Sequence, residues 1–311
     1  MLRLFVLLGC LGLPLIAGEA APRLAELVAV DAGEFAKVIA KDAKIEKLAG
    51  DMKFTEGPVW VKSLNAVIFS DIPANELKSW SAKDGLKTFR TPSNNTNGNQ
   101  VDGEGRLVHC EHSGRAITRT EQDGSRKVLT DAFNGKKLNS PNDLAIKSDG
   151  NIYFTDPDYG VPKDQKKEQE KNGVYRLDTK TGAVTMLVDD FVKPNGLAFS
   201  PDEKKLYVAD SGTPRHIRVF DVQADGSVAN GKLFCAIDKG GPDGIRCDAD
   251  GRVWSSSGDG AQIFNPDGKL IGRVVLPEGG ANLCFGGEDG KTLFVTARKS
   301  LYAVKTLVTG R

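Results

Sequence analysis

The chain lacks nearly everything that would tie it to a charged partner. Its 42 basic residues meet 41 acidic ones, leaving a formal charge of +1, so no net field draws it toward nucleic acid or an anionic membrane. Histidine is scarce, with three in 311 residues (His109, His112 and His216), and the five cysteines stand at spacings that match no zinc site. Beyond the N-terminal leader no apolar run approaches the ~20 residues that span a bilayer. What is present, 40% apolar and 27% charged residues, is the composition of an ordinary globular protein. Neither nucleic acid nor a membrane span is expected as a partner, and monomer or dimer is left open.

Residues 1–20 read as a secretory signal: Arg3 supplies a basic start, Leu4 to Ala17 an apolar run, and Gly18 and Ala20 the small residues of a cleavage site. Export to the periplasm or the medium is expected, with a lipoprotein anchored at Cys10 as the alternative. Four cysteines then remain, Cys110, Cys235, Cys247 and Cys284. An exported chain could oxidise Cys235 and Cys247, but spacing does not decide whether they pair. Residues 21–50 form an N-terminal extension, helical around Glu34 to Ile39 by the placing of its apolar side chains.

From residue 51 to 311 the texture changes to short strands broken by turns, with ten Asp-Gly pairs that suit tight hairpins. A β-rich run recurs six times: AVIFSD from Ala66, RLVHCE from Arg106, NIYFTD from Asn151, KLYVAD from Lys205, RVWSSS from Arg252 and TLFVTA from Thr292. Their starts lie 40, 45, 54, 47 and 40 residues apart. A period near 45 with strand-type runs is the signature of propeller blades. The fold class expected is all-β, a six-bladed β-propeller. Only three strands are available for the last blade, and Lys44 to Leu48 is expected to close it as the fourth, removing the open edges. The longest spacing is filled by a charged loop, Pro157 to Asn172.

Nine or ten residues before each run stands an oxygen-bearing side chain: Glu56, Asn97, Asn142, Asn195, Asp243 and Asn282. If each blade lays its innermost strand along the axis, these converge at one mouth of the channel. Four sit in a proline context: Glu56-Gly-Pro, Pro141-Asn-Asp, Pro194-Asn-Gly and Pro242-Asp-Gly. Proline suits the first residue of a strand, and glycine after the donor lets backbone approach closely. One Asn-Gly alone would be read as a turn; four at one repeat offset, including a Glu with no turn preference, point to a cation site. Glu56, Asn142, Asn195 and Asp243 are the candidate ligands, two carboxylates and two amides, with Ca²⁺ the expected ion and Mg²⁺, Mn²⁺ and Zn²⁺ the alternatives. Asn97 and Asn282 lack the proline context and are read as lining the pocket. His112, Tyr159 and Arg298 follow second strands and are further candidates for substrate contact. His109 and His216 lie in strand-like context and read as structural.

The segments EGPVW (Glu56 to Trp60), SPNDLAIKSDGNIYFTDPDYG (Ser140 to Gly160), KPNGLAFSPDEKKLYVADS (Lys193 to Ser211) and GGPDGIRCDADGRVW (Gly240 to Trp254) resemble the gluconolactonase / senescence marker protein (regucalcin) / luciferin-regenerating enzyme family. The resemblance runs from about Phe54 to the C-terminus. It implies a six-bladed propeller with a divalent cation, usually calcium, that hydrolyses sugar lactones, with the family's ligands falling on Glu56, Asn142, Asn195 and Asp243. The chemistry that follows is metal-assisted ester hydrolysis with Asp243, the only Asp of the four, as base; direct attack by its carboxylate stays open. No Gly-x-Ser-x-Gly elbow supports serine chemistry. Related propellers, diisopropyl fluorophosphatase and paraoxonase, leave phosphotriester hydrolysis as an alternative, and a non-catalytic binding propeller is a third.

Overall fold

A computed structural model describes residues 23–161, 164–213 and 215–311; the leader expected over residues 1–20 lies outside them. Six antiparallel blade sheets succeed one another along the chain, with a two-stranded hairpin, Ala132–Phe133 and Lys136–Lys137, between the second and the third. Blade one comprises Thr55–Val61, Ala66–Asp71, Glu76–Ser81 and Gly85–Arg90, and blade two Thr96–Val101, Leu107–Glu111, Ala116–Thr120 and Arg126–Thr130. Blade three is Leu144–Ile146, Ile152–Asp156, Gly173–Leu177 and Val184–Val188, and blade four Pro194–Phe199, Lys205–Asp210, His216–Val222 and Val228–Ala236. Blade five is Ile245–Cys247, Val253–Ser257, Gly260–Phe264 and Leu270–Val275, and blade six Asn282–Gly286, Thr292–Ala297 and Ser300–Lys305. No helix among the described residues is long and apolar enough to cross a membrane.

Blade six is completed by Ile45–Ala49, which runs antiparallel to Ser300–Lys305 with Ile45 opposite Val304 and Lys47 opposite Tyr302. The extension also does something its sequence did not announce. Glu26–Ala29 adds a fifth strand to blade five, Glu26 opposite Val275 and Ala29 opposite Gly272. The helix between the two strands is only Ala32–Phe35, capped by the Asp31 carboxylate on the Gly33 and Glu34 amides. Phe35 lies against Gly272, where a Cβ would meet its ring at 2.0 Å. The extension therefore clamps two adjacent blades.

The six recurring runs are the second strands, and they are apolar because both of their faces are covered. Successive side chains point to opposite faces of a strand, so in blade three Ile152 and Phe154 pack with Val108 and Ile117 of blade two. Tyr153 between them packs with Leu197, Phe199 and Val208 of blade four. The same alternation yields six apolar clusters, one at each blade interface. Cys235 and Cys247 share the cluster between blades four and five as buried free thiols, and Cys110 and Cys284 are likewise buried and free.

Candidate functional site

Each donor residue stands at or just before the axial end of an inner strand, and in four of the six blades the glycine that follows it lets that end approach the next. The Gly98 amide donates to the Asn142 carbonyl (2.8 Å), that of Gly196 to the Asp243 carbonyl (3.0 Å) and that of Gly244 to the Ala281 carbonyl (2.8 Å). A Cβ on Gly98 would meet the Asn142 carbonyl at 2.6 Å, one on Gly196 the Asp243 carbonyl at 2.3 Å, and one on Gly57 the Asn97 carbonyl at 2.0 Å. Second-strand hydroxyls tighten the ring: Ser70 Oγ donates to the Asn97 carbonyl and Thr155 Oγ1 to the Asn195 carbonyl, each at 2.7 Å. The repeated Asn-Gly and Asp-Gly steps are thus blade-to-blade contacts of the backbone.

Glu56 is buried. Its Oε2 accepts from its neighbour Gly57 N (2.9 Å) and from Asn282 Nδ2 (3.0 Å). Burial first, and then the Asp243 carboxylate, hold its carboxyl well above the usual carboxylate range. Asp243 is pushed up to about 7 by burial and by the Asp143 carboxylate, with the Asn195 amide opposing. These two carboxylates repel each other across one site. Asn195 is oriented by Ser211: its Nδ2 donates to Ser211 Oγ (2.9 Å), whose hydroxyl is itself committed to the Pro242 carbonyl (2.6 Å). That leaves Asn195 Oδ1 buried with no hydrogen-bond partner. Asn97 repeats the arrangement, with Nδ2 3.2 Å from His112 Nε2 and Oδ1 buried without a partner. Burial pushes the His112 imidazole down to about 4, so it is neutral and accepts from Asn97. Asn142 is buried beside the fully buried Asp143.

Asn282 is buried and faces the candidate ligand Glu56 and its neighbour Asp143. Its Nδ2 spans Glu56 Oε2 and Asp143 Oδ2 (3.2 Å), while its Oδ1 accepts from the Leu283 amide (2.8 Å). Asp143 and Arg246 are the members of this network that sequence reasoning passed over; Arg246 Nη1 lies 3.2 Å from Asp143 Oδ2. Asp143 stood in view directly after Asn142, but nothing local marked its partners. At the mouth, a cavity of about 320 Å³ is lined by Asp243, Ser211, Arg215 and Arg298. Tyr159 is half exposed under the Lys193 ammonium, 4.9 Å from the ring centroid. Its phenol is pushed up to about 12 by burial and then by Asp243, with Ser211 opposing. His109 is buried among Asn99 and Thr120 in blade two, and His216 lies in the third strand of blade four.

No group of three or more His, Cys, Asp or Glu side chains suited to a metal occurs among the described residues. The donor set here is different in kind: two mutually repelling carboxylates and amide oxygens with unspent lone pairs. It fits a hard divalent cation, which takes such oxygens and would relieve the repulsion.

A propeller whose inner strands bring carboxylates and amides to one mouth of the channel defines a class of axial-pocket propellers. Within it, the chain belongs to the SMP-30/gluconolactonase/LRE-like family, whose model matches residues 54–299. It is 35% identical over 294 residues to the gluconolactonase of Zymomonas mobilis, covering 86% of this chain and 82% of the relative. The solved structure of a gluconolactonase from Xanthomonas campestris superposes with a TM-score of 0.86 at 34% identity, covering 93% of this chain and 98% of that one. A calcium-binding regucalcin from Agrobacterium tumefaciens, at 21% identity and a TM-score of 0.70 over 85% of this chain and 96% of its own, shares the fold.

Proposed function

We propose that the protein hydrolyses sugar lactones, using a divalent cation, calcium by the character of the donors, held by Glu56, Asn142, Asn195 and Asp243. Family membership and the lactonase relatives support the reaction class. The observation that carries the site is the Glu56–Asp243 pair, Glu56 raised by burial and by the Asp243 carboxylate and Asp243 by burial and by the Asp143 carboxylate, beside an amide oxygen, Asn195 Oδ1, that has no partner. When bound, the cation supplies Lewis-acid polarisation of the ester carbonyl and charge opposite the developing oxyanion.

The chain's own residues divide the remaining work. Asp243 lines the cavity and takes the proton from the attacking water, which adds to the carbonyl carbon. The endocyclic C–O bond then breaks, and the proton on Asp243 is available to the departing ring oxygen, so the product is the open-chain hydroxy acid. Glu56 is buried and anchored by two N–H donors, which suits a ligand and not a proton carrier. Ser211 holds Asn195 in one orientation. Tyr159 keeps its proton at neutral pH and serves as a hydrogen-bond donor to substrate oxygen.

The test is a sugar-lactone panel assayed after chelation and again after reloading with Ca²⁺, Mg²⁺, Mn²⁺ or Zn²⁺. Chelation should abolish turnover and at least one cation should restore it. Undiminished turnover in chelator removes the metal from the proposal. Failure to open any lactone with any cation removes the reaction.

A further inference from the structure

The turns leading from second to third strand lie on the same face as the site, because the inner strands start opposite the ends of the second strands. Four of these turns hold a non-glycine residue in left-handed backbone: Asn75 (φ 60°), Arg115 (φ 48°), Arg215 (φ 63°) and Arg298 (φ 40°). Asparagine tolerates that conformation; arginine adopts it against a steric penalty. Arg115 offsets the penalty within the fold, its Nε donating to the carbonyls of Leu138 (2.7 Å) and Asn139 (3.2 Å) while the side chain is buried.

Arg215 and Arg298 do not. Both are exposed. Among the described residues the Arg215 guanidinium reaches only the Gly240 carbonyl, at 3.4 Å, and Arg298 has no hydrogen bond or ion pair from its guanidinium. Several neighbouring cations are matched, Lys193 by Asp158, Arg218 by Asp190 at 2.6 Å and Arg273 by Asp238 at 2.6 Å, while Lys239 and Lys299 have no ion pair among the described residues and do not line the cavity. Arg215 and Arg298 line a cavity that also contains Asp243, and Gly240, Gly241, Gly258, Gly279 and Gly280 line the same cavity, so few side chains stand in the way of a ligand there. About 320 Å³ is at the small end of ligand pockets and takes one sugar ring with one substituent.

We propose that Arg215 and Arg298 form an oxyanion-binding pair at the mouth of the site, and that the substrate is a lactone carrying an anionic group away from its ester. Phosphate, sulfonate and carboxylate share the chemistry. Guanidinium offers paired N–H donors that fit any of them. The lactone half of this statement rests on the function proposed above; the anion half does not.

The experiment is calorimetric titration of the full-length protein with gluconate and with 6-phosphogluconate at about 0.15 M salt, followed by turnover of the matching lactones. 6-Phosphogluconate should bind about tenfold tighter or more, the scale of charge-assisted hydrogen bonds. That gap should collapse in the double variant Arg215→Gln/Arg298→Gln and be partly kept in Arg215→Lys/Arg298→Lys, with thermal melts checking that both variants fold. A glucaro-1,4-lactone arm, in which C6 is a free carboxylate, separates carboxylate from phosphate preference. Equal binding of the two acids by the wild type, or a gap that survives the double Gln variant, overturns the proposal even if neutral lactones are opened. A gap that collapses as expected while no lactone is opened leaves the anion pair standing and removes the lactonase reading instead.

Discussion

The two mouths of the channel are built from the same inner strands and differ in how far their polar groups are matched. At the mouth holding Glu56 and Asp243, carboxylates repel one another and amide oxygens lack partners. At the other, the C-terminus folds across a cavity of about 280 Å³ lined by Trp60, Gln100, Phe285 and Arg246. There Gly310 bridges to Asp248, the Arg311 amide donates to the Cys247 carbonyl (3.0 Å), and the Arg311 guanidinium pairs with Glu203 and lies 5.2 Å from the Phe199 ring centroid. Asp248 is satisfied by the Trp254 indole (3.0 Å) and by Arg252. Local consistency is relaxed where a site must bind something and kept where the fold must close. Arg246 joins the two ends, lining the closed mouth and reaching Asp143 beneath the open one.

The sharpest way to break this contrast is Asp243→Asn, which keeps an oxygen donor and removes the base. Turnover should fall by about 10² or more while cation binding, followed by calorimetry, weakens but stays detectable. Full turnover regained at saturating calcium would move the base elsewhere, with His112 next in line. Glu56→Gln should act on affinity more than on chemistry. Cation binding should weaken by about tenfold, the scale of one charge-assisted interaction, and raising the cation should recover part of the rate; a loss that no concentration relieves would make Glu56 a participant in the chemistry.

pH sharpens the comparison without mutation. Burial and neighbouring carboxylates raise Glu56 and Asp243, Asp243 from 3.8 to about 7. Between those values the folded state binds more protons than the unfolded one, so the stability of chelated protein should fall as pH rises from about 4 to 7 and level off above. Added calcium should stabilise most at the upper end, where it no longer competes with protons. Chelated melts that rise through this window would contradict the assigned repulsion. The smallest effect is expected at the closed mouth: Arg311→Ala should cost under about 1 kcal/mol, as for a partly exposed ion pair, and leave kcat/KM unchanged. A change in kcat/KM would show that the two mouths are coupled, with Arg246 and Asp143 the route to examine.

Much of this was legible before any fold was seen. Period, apolar second strands and the missing fourth strand of the last blade led to six blades closed from the N-terminal side, and Ile45–Ala49 pairs there. The Glu26–Ala29 strand was not legible, because four residues acquire strand character only from the edge of Leu270–Val275 that receives them. Asn282 was legible as a member of the ring but not as the donor bridging Glu56 and Asp143, since both partners come from other blades. Ser211 carried no local mark of its part, because its partners, Asn195 and the Pro242 carbonyl, lie 16 and 31 positions away.

By itself the sequence determined the repeat, the side from which the ring closes and the offset at which oxygen donors recur, because these follow from local periodicity and from glycine's lack of a Cβ. Which lone pairs those donors keep for a ligand was decided only by tertiary structure. Hydrogen bonds such as that from Asn282 to Glu56 join residues 226 positions apart, and burial and mutual repulsion exist only once the six strand ends share one axis.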